Sequence, residues 1–125
     1  MRELITLPNN TSGQRLFMQH AVEVPPCCPV SRNPRPGSTL TICYRAQEQV
    51  LEVASLYAYI HQFVGGLRDA SGQIVVRDME GMLLRVAQDC AQAIGVPVRV
   101  YANLWIAPKQ RVSTIARGYP QGKGA

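Results

Sequence analysis

The chain has 125 residues, 46% apolar and 17% charged, which fits one domain with a real core and excludes intrinsic disorder. It carries 13 Lys+Arg against 8 Asp+Glu, a net charge of +5, and no apolar run approaches the roughly 20 residues that span a bilayer. The charge is segregated: residues 1–89 are neutral, whereas everything after Asp89 lacks a carboxylate side chain and carries Arg99, Lys109, Arg111, Arg117 and Lys123. Most of the cations are Arg, which favours planar, bidentate anion contacts. The N-terminus, Met1-Arg2-Glu3-Leu4, shows no secretory pattern, so a cytoplasmic location is expected, with Cys27, Cys28, Cys43 and Cys90 as thiols.

In chain order, residues 1–14 end in the polar cluster Asn9-Asn10-Thr11-Ser12-Gly13 and read as a flexible arm. Residues 16–24 alternate, with Leu16, Met18, His20, Val22 and Val24 on one face, and predict a strand stopped by Pro25-Pro26. A loop rich in Pro, Arg and Asn follows, then a second strand over 39–45. The stretch 47–64 is apolar on most sides and free of Pro and Gly, which predicts a long helix ending at Gly65-Gly66. A second helix is predicted over 78–94, where Met79, Met82, Leu83, Val86, Ala87, Cys90, Ala93 and Ile94 recur at helical spacing. Alternation over 98–106 predicts a third strand, residues 111–116 a fourth, and 118–125 a Gly-rich basic tail. The order, strand-strand-helix-helix-strand-strand, builds an α+β domain: an antiparallel sheet with two helices on one face.

Two features carry candidate chemistry. The first is the loop Pro26-Cys27-Cys28-Pro29-Val30-Ser31-Arg32-Asn33-Pro34-Arg35. A cysteine flanked by Arg32 and Arg35 has a route to a lowered thiol pKa, because nearby cations favour thiolate. The alternative is a rigid Pro-rich connection whose cysteines are small apolar residues. The vicinal cysteines lack zinc-knuckle spacing, and His20 and His61 are isolated, so no metal site is expected. The second feature is the pair Glu52 and Glu80, one inside the predicted first helix and one in the first turn of the next. Such carboxylates can accept hydrogen bonds from the N–H edge of a guanine-like ring. The alternatives are an intramolecular Arg partner for Glu52 and a solvated helix start for Glu80.

Cys28-Pro29-Val30-Ser31 before a strand, Glu52-Val53-Ala54-Ser55-Leu56-Tyr57-Ala58-Tyr59 on the first helix, and the ββααββ order resemble the 7-cyano-7-deazaguanine reductases. These are nitrile reductases of the tunnelling-fold superfamily, and the resemblance covers roughly residues 15–118. It implies a tunnelling-fold domain over 15–117, in a homo-oligomer whose sheets close into a barrel with ligands at subunit contacts. It also implies that Cys28 is a nucleophile adding to a nitrile carbon to give a thioimide. Glu52, Ser55 and Glu80 would then hold a guanine-like base.

The family pattern Cys-Pro-Val-Thr-Gly-Gln-Pro-Asp places Arg35 where the proton-donating aspartate stands. Arg cannot shuttle a proton near neutrality, but it can steady a thiolate or an anionic intermediate. The two lysines of the family's NADPH-associated helix motif are Ala54 and Tyr57 here, and the family histidine falls on Met79. No cofactor is therefore expected, with NADPH as the alternative that the resemblance leaves open. The resemblance fits amidine formation from the same nitrile better than NADPH reduction, because adding ammonia to a thioimide needs no hydride. The substrate would be a free guanine-like base or a modified nucleic acid carrying one. Two alternatives keep the fold: a pterin or purine enzyme, and a non-catalytic purine- or nucleic-acid-binding protein using the basic C-terminal third.

Overall fold

A computed structural model of the chain describes residues 3–11, 14 and 16–121. Among these, the elements in chain order are β1 (Thr6–Pro8), β2 (Leu16–Glu23), β3 (Thr39–Ala46), β4 (Gln49–Leu51), α1 (Val53–His61), β5 (Leu67–Arg68), β6 (Ile74–Val76), α2 (Met79–Ile94), β7 (Val98–Ala107) and β8 (Gln110–Gly118). The fold class is α+β, as predicted. Four strands form an antiparallel sheet in the order β2-β3-β7-β8, so both helices lie in the one connection between its central strands.

The pleat of the central strands sorts the sequence. Leu40, Ile42 and Tyr44 of β3 and Val98, Val100, Ala102 and Leu104 of β7 are buried on one face. They meet Leu56, Tyr59 and Ile60 of α1 and Met82, Leu83, Val86, Ala87 and Cys90 of α2 in a single core. At about 1.5–3 kcal/mol for each large apolar side chain fully buried, these strands hold the fold. β2, at the sheet edge, contributes less: Leu16, Met18, His20 and Val22 are only half-buried.

The first predicted helix needs correction. Residues 47–64 are not one helix. β3 continues to Ala46, the chain turns, and Gln49–Leu51 pair with Thr6–Pro8 in the register Thr6↔Leu51, Leu7↔Val50 and Pro8↔Gln49. Helix α1 starts only at Val53. Val50 and Leu51 look like part of a helical face in the sequence, but tertiary pairing with a distant segment decides their conformation. The same pairing pins the middle of the predicted arm. Glu52 N–H donates to the Ile5 carbonyl at 2.9 Å, and Asn9 N–H to that of Glu48 at 2.8 Å. Ser12 and Gly13 of the arm lie outside the described residues.

The small hairpin β5–β6 is absent from the sequence reading. Its turn is organised by Asp69, whose Oδ1 accepts from the Ser71 and Gln73 backbone N–H groups at 2.9 and 3.0 Å. The second helix matches its prediction. Asp78 caps it by accepting from Gly81 N–H at 2.7 Å, and Gly95, with φ 74°, ends it in the left-handed conformation. The predicted tail at 118–125 starts as sheet. Gly118 ends β8, and Gln88 of α2 then brackets Tyr119, donating to its carbonyl at 2.7 Å and accepting from its N–H at 3.3 Å. Residues 122–125 lie outside the described residues.

Two contacts tie the layers together. The Tyr44 hydroxyl accepts from Leu51 N–H at 2.8 Å and lies 2.9 Å from His20 Nε2, joining β2, β3 and β4. Burial lowers the His20 pKa, so its ring is neutral at pH 7 and suited to accept from that hydroxyl. At the other edge β8 touches α2 directly. A Cβ on Gly118 would stand 2.1 Å from the Ala87 carbonyl oxygen. Gly118→Ala is therefore expected to destabilise the protein by about 3 kcal/mol, because backbone must move to admit the methyl group. Urea denaturation measures this directly, and an unchanged midpoint would refute the close approach.

Candidate functional site

The candidate site is built on the β2–β3 connection. Its shape comes from main-chain hydrogen bonds: the Asn33 carbonyl accepts from both Cys27 and Cys28 N–H at 2.9 Å, and the Cys28 carbonyl accepts from Arg32 N–H at 2.9 Å. Ser38 anchors the loop to the sheet. It is fully buried; its hydroxyl donates to the Arg35 carbonyl at 2.7 Å and accepts from Trp105 N–H at 2.8 Å. A buried hydroxyl with both roles filled is stabilising as well as satisfied.

The turn closes with Arg32 at φ 61°, in the left-handed region where a side chain costs about 1–2 kcal/mol. Arg32→Gly is expected to raise stability by up to about 1 kcal/mol, after the greater chain entropy of glycine is deducted. A lower denaturation midpoint would show that the arginine side chain makes up for its backbone.

The vicinal cysteines have opposite characters. Cys27 is buried, its thiol donates to the Asp78 carbonyl at 3.6 Å, and its pKa is pushed up to about 11 by burial, then by the charges of Asp78, Cys28 and Glu80. Cys28 is partly exposed, and its pKa is lowered. The causes are hydrogen bonds from the Ser31 hydroxyl first, then from backbone N–H groups of Ser31, Val30 and Arg32. Ser31 N–H lies 3.4 Å from the sulfur. The sequence reading assigned this lowering to the arginine charges of Arg32 and Arg35. The structure assigns it to the donors of the turn, because a short loop converges its own amides on Sγ.

The other predicted residues are divided between two ends of the domain. Glu80, exposed in the first turn of α2, stands on the cysteine side, close enough to raise the Cys27 pKa. Glu52 and Ser55 do not. The chain just beyond the α1 C-terminus touches the loop, with Gly65 N–H donating to the Pro26 carbonyl at 3.0 Å, while Glu52 caps the opposite end. Nine helical residues separate those ends by about 13 Å. Glu52 is thus not inside a helix, and among the described residues it has no Arg partner. Its Oε1 accepts from Ser55 N–H at 3.0 Å and its Oε2 from Ala54 N–H, which satisfies donors a helix start leaves open. Ser55, predicted to touch substrate, is buried; its hydroxyl accepts from Ile5 N–H at 3.0 Å and holds the N-terminal strand.

Arg35 lies on the sheet side of the loop. Its N–H donates to the Trp105 carbonyl at 2.7 Å, and it lines a surface cavity with Pro36, Trp105 and Pro108. Ala54 is exposed, and Tyr57 stacks on His61 with ring centroids 3.9 Å apart. Among the described residues no three His, Cys, Asp or Glu side chains are placed to hold a metal, and no helix is long and apolar enough to cross a membrane.

Ser31, Asn33 and Ser38 shape this loop and its thiol, a part that the sequence alone does not assign to them. The signal for Ser31 was its place three residues after Cys28, the spacing at which a turn returns a donor to the side chain that opens it. No protein-family model matches the chain, and no curated protein matches it.

The site makes a direct prediction about thiol reactivity. Cys28 is expected to alkylate with iodoacetamide well ahead of Cys27, Cys43 and Cys90, whose pKa values are all raised. A lowered pKa puts more of Cys28 in the thiolate form at neutral pH, so its rate rises at lower pH than that of an ordinary thiol. Ser31→Ala shifts that pH profile upward. Peptide mass mapping after timed labelling reads both effects, and labelling of Cys27 before Cys28 would contradict them.

Proposed function

We propose that the protein is a tunnelling-fold enzyme that acts on the nitrile of 7-cyano-7-deazaguanine, or a related guanine-like base, through a covalent thioimide on Cys28. The observation that carries this reading is the Cys28 sulfur itself: partly exposed, at the centre of converging donors, and lowered in pKa beside a buried cysteine that is raised. That arrangement suits a nucleophile and has no evident purpose in a merely rigid connection.

The sheet order β2-β3-β7-β8 with both helices between β3 and β7 supports the tunnelling-fold reading. In this reading several copies of the chain close their sheets into a barrel. The distance between Glu52 and Cys28 within one subunit then has a simple account, since a pocket shared by neighbouring subunits takes its parts from different ends of the fold. Glu80 is the carboxylate better placed to hold the base beside Cys28, its own carboxylate being exposed whereas that of Glu52 is occupied as a cap.

The Cys28 thiolate adds to the nitrile carbon, the C≡N bond becomes C=N, and the nitrogen takes a proton to give the thioimide. Ammonia then adds to the same carbon, the C–S bond breaks, and the thiol is regenerated as the amidine leaves. No electrons are exchanged. Amidine formation is preferred over reduction because Ala54 and Tyr57 offer a dinucleotide phosphate no cation, and a cytoplasmic setting suits four free thiols. Arg35, held on the Trp105 side, is not required to deliver the proton.

Incubation with 7-cyano-7-deazaguanine followed by intact-mass analysis is expected to show a single adduct, absent from Cys28→Ala. Adding ammonium should convert the adduct to free amidine without consuming NADPH. Binding of the nitrile with no adduct, unchanged in Cys28→Ala, would instead identify a purine-binding protein without catalysis.

A further inference from the structure

The face of the sheet opposite the helices carries an unused group of arginines. The strand registers Gln19↔Cys43, Cys43↔Arg99 and Arg99↔Arg117 set these four residues in one row across the four strands. Phe17↔Arg45 forms the next row on the same face. Arg99 and Arg117 are therefore direct cross-strand neighbours, with Arg45 close by on the diagonal. Like charges in that relation destabilise a sheet.

Nothing described neutralises them. Among the described residues the single ion pair is Arg85–Asp89, on the far side of the molecule in α2. Among the described residues of the four strands, the one carboxylate on this face is Glu23, four residues along β2 from Gln19, which is about 13 Å. The Arg99 guanidinium instead leans over the Tyr101 ring, 5.5 Å from its centroid. Arg45, Arg99 and Arg117 line a concave cavity of about 300 Å³ walled by Phe17 and Tyr119. Phe17 is 55% exposed, and Tyr119 is held from behind by the two Gln88 hydrogen bonds.

Three unpaired guanidiniums at one end of a cleft match the oxygens of a phosphate, which they can engage in pairs. An exposed phenyl ring beside them matches the face of a nucleobase. The cavity is at the small end of the range for ligand pockets, enough for a phosphate with a ring beside it. We propose that this end of the open sheet face binds the phosphate of a nucleotide through Arg45, Arg99 and Arg117, with the base against Phe17. The site is separate from the cysteine loop. That loop leaves the Glu23 end of β2, whereas this cleft lies at the Leu16 end.

The shared chemistry is a phosphate ester next to a base, from either a free nucleotide or a single strand of nucleic acid. Titrations at low salt with guanosine monophosphate, guanosine and a short single-stranded oligonucleotide test it, alongside the melting temperature with and without inorganic phosphate. Guanosine monophosphate or the oligonucleotide is expected to bind at least about tenfold more tightly than guanosine, and Arg99→Gln and Arg117→Gln each to lose about tenfold or more. Phosphate should raise the melting temperature of the wild type but not of those variants, which remain folded because a like-charge contact is removed. Phe17→Leu should weaken the nucleotide and leave the phosphate effect intact. The tighter of the two esters names the source. Failure of both to bind, or binding indifferent to Arg99→Gln and Arg117→Gln, overturns the proposal. So does loss of binding in Cys28→Ala, which would move the phosphate to the cysteine loop.

Discussion

The structure depends on a constraint that acts on β3 and β7: alternate residues must serve opposite faces, and only one face is covered. Because both helices are spent in the connection between these strands, every second residue has to be apolar and every other one faces away from the core. The apolar set closes the core without exception from Leu40 to Tyr44 and from Val98 to Leu104. The remaining set is released from packing, and it is there that Arg45, Arg99, Tyr101 and Asn103 stand. Core and candidate ligand surface are thus two readings of the same pleat.

The cysteine loop depends on that sheet for its rigidity. Ser38 sits where β3 begins and links the loop carbonyl at Arg35 to the β7 backbone at Trp105. Its own carbonyl accepts from Val24 N–H at 2.9 Å, so both ends of the loop are fixed to the strands. Within that frame the turn needs few side chains to tune a thiol. Two adjacent cysteines diverge in character because one is buried, against the α2 N-cap and its carboxylates, while the other receives the Ser31 hydroxyl and the amides of its own turn.

Much of this was legible in the sequence, and the failures have physical causes. The period-two pattern marked β2, β3 and β7, and the capped, period-3.6 pattern marked α2, because those elements are shaped by the core they bury. The stretch 47–64 misled because Val50 and Leu51 pack on the core like a helical face, yet their backbone is set by a strand partner more than 40 residues away, which no local window contains. Glu52 drew attention as an acid in apolar surroundings. Its role as a helix cap became visible only once the helix start moved to Val53. The exposed loop position of Cys28 is legible in the sequence, but the donors that lower its pKa are not. Charged neighbours can be counted in a sequence, whereas amides converging on a sulfur are a matter of turn geometry. The pairing of Arg99 with Arg117 likewise required a strand register.

The close passage of Gly118 over Ala87 has an evolutionary consequence. Sheet and helix are gauged against each other there by main-chain atoms, so the spacing is indifferent to most side chains around it. A single position, intolerant of any substitution, holds the end of β8 at a fixed height and with it the start of the C-terminal segment. Selection on that spacing then falls on the glycine, and the exposed α2 positions that touch neither β8 nor the Tyr119–Gln121 segment are the ones left free to drift.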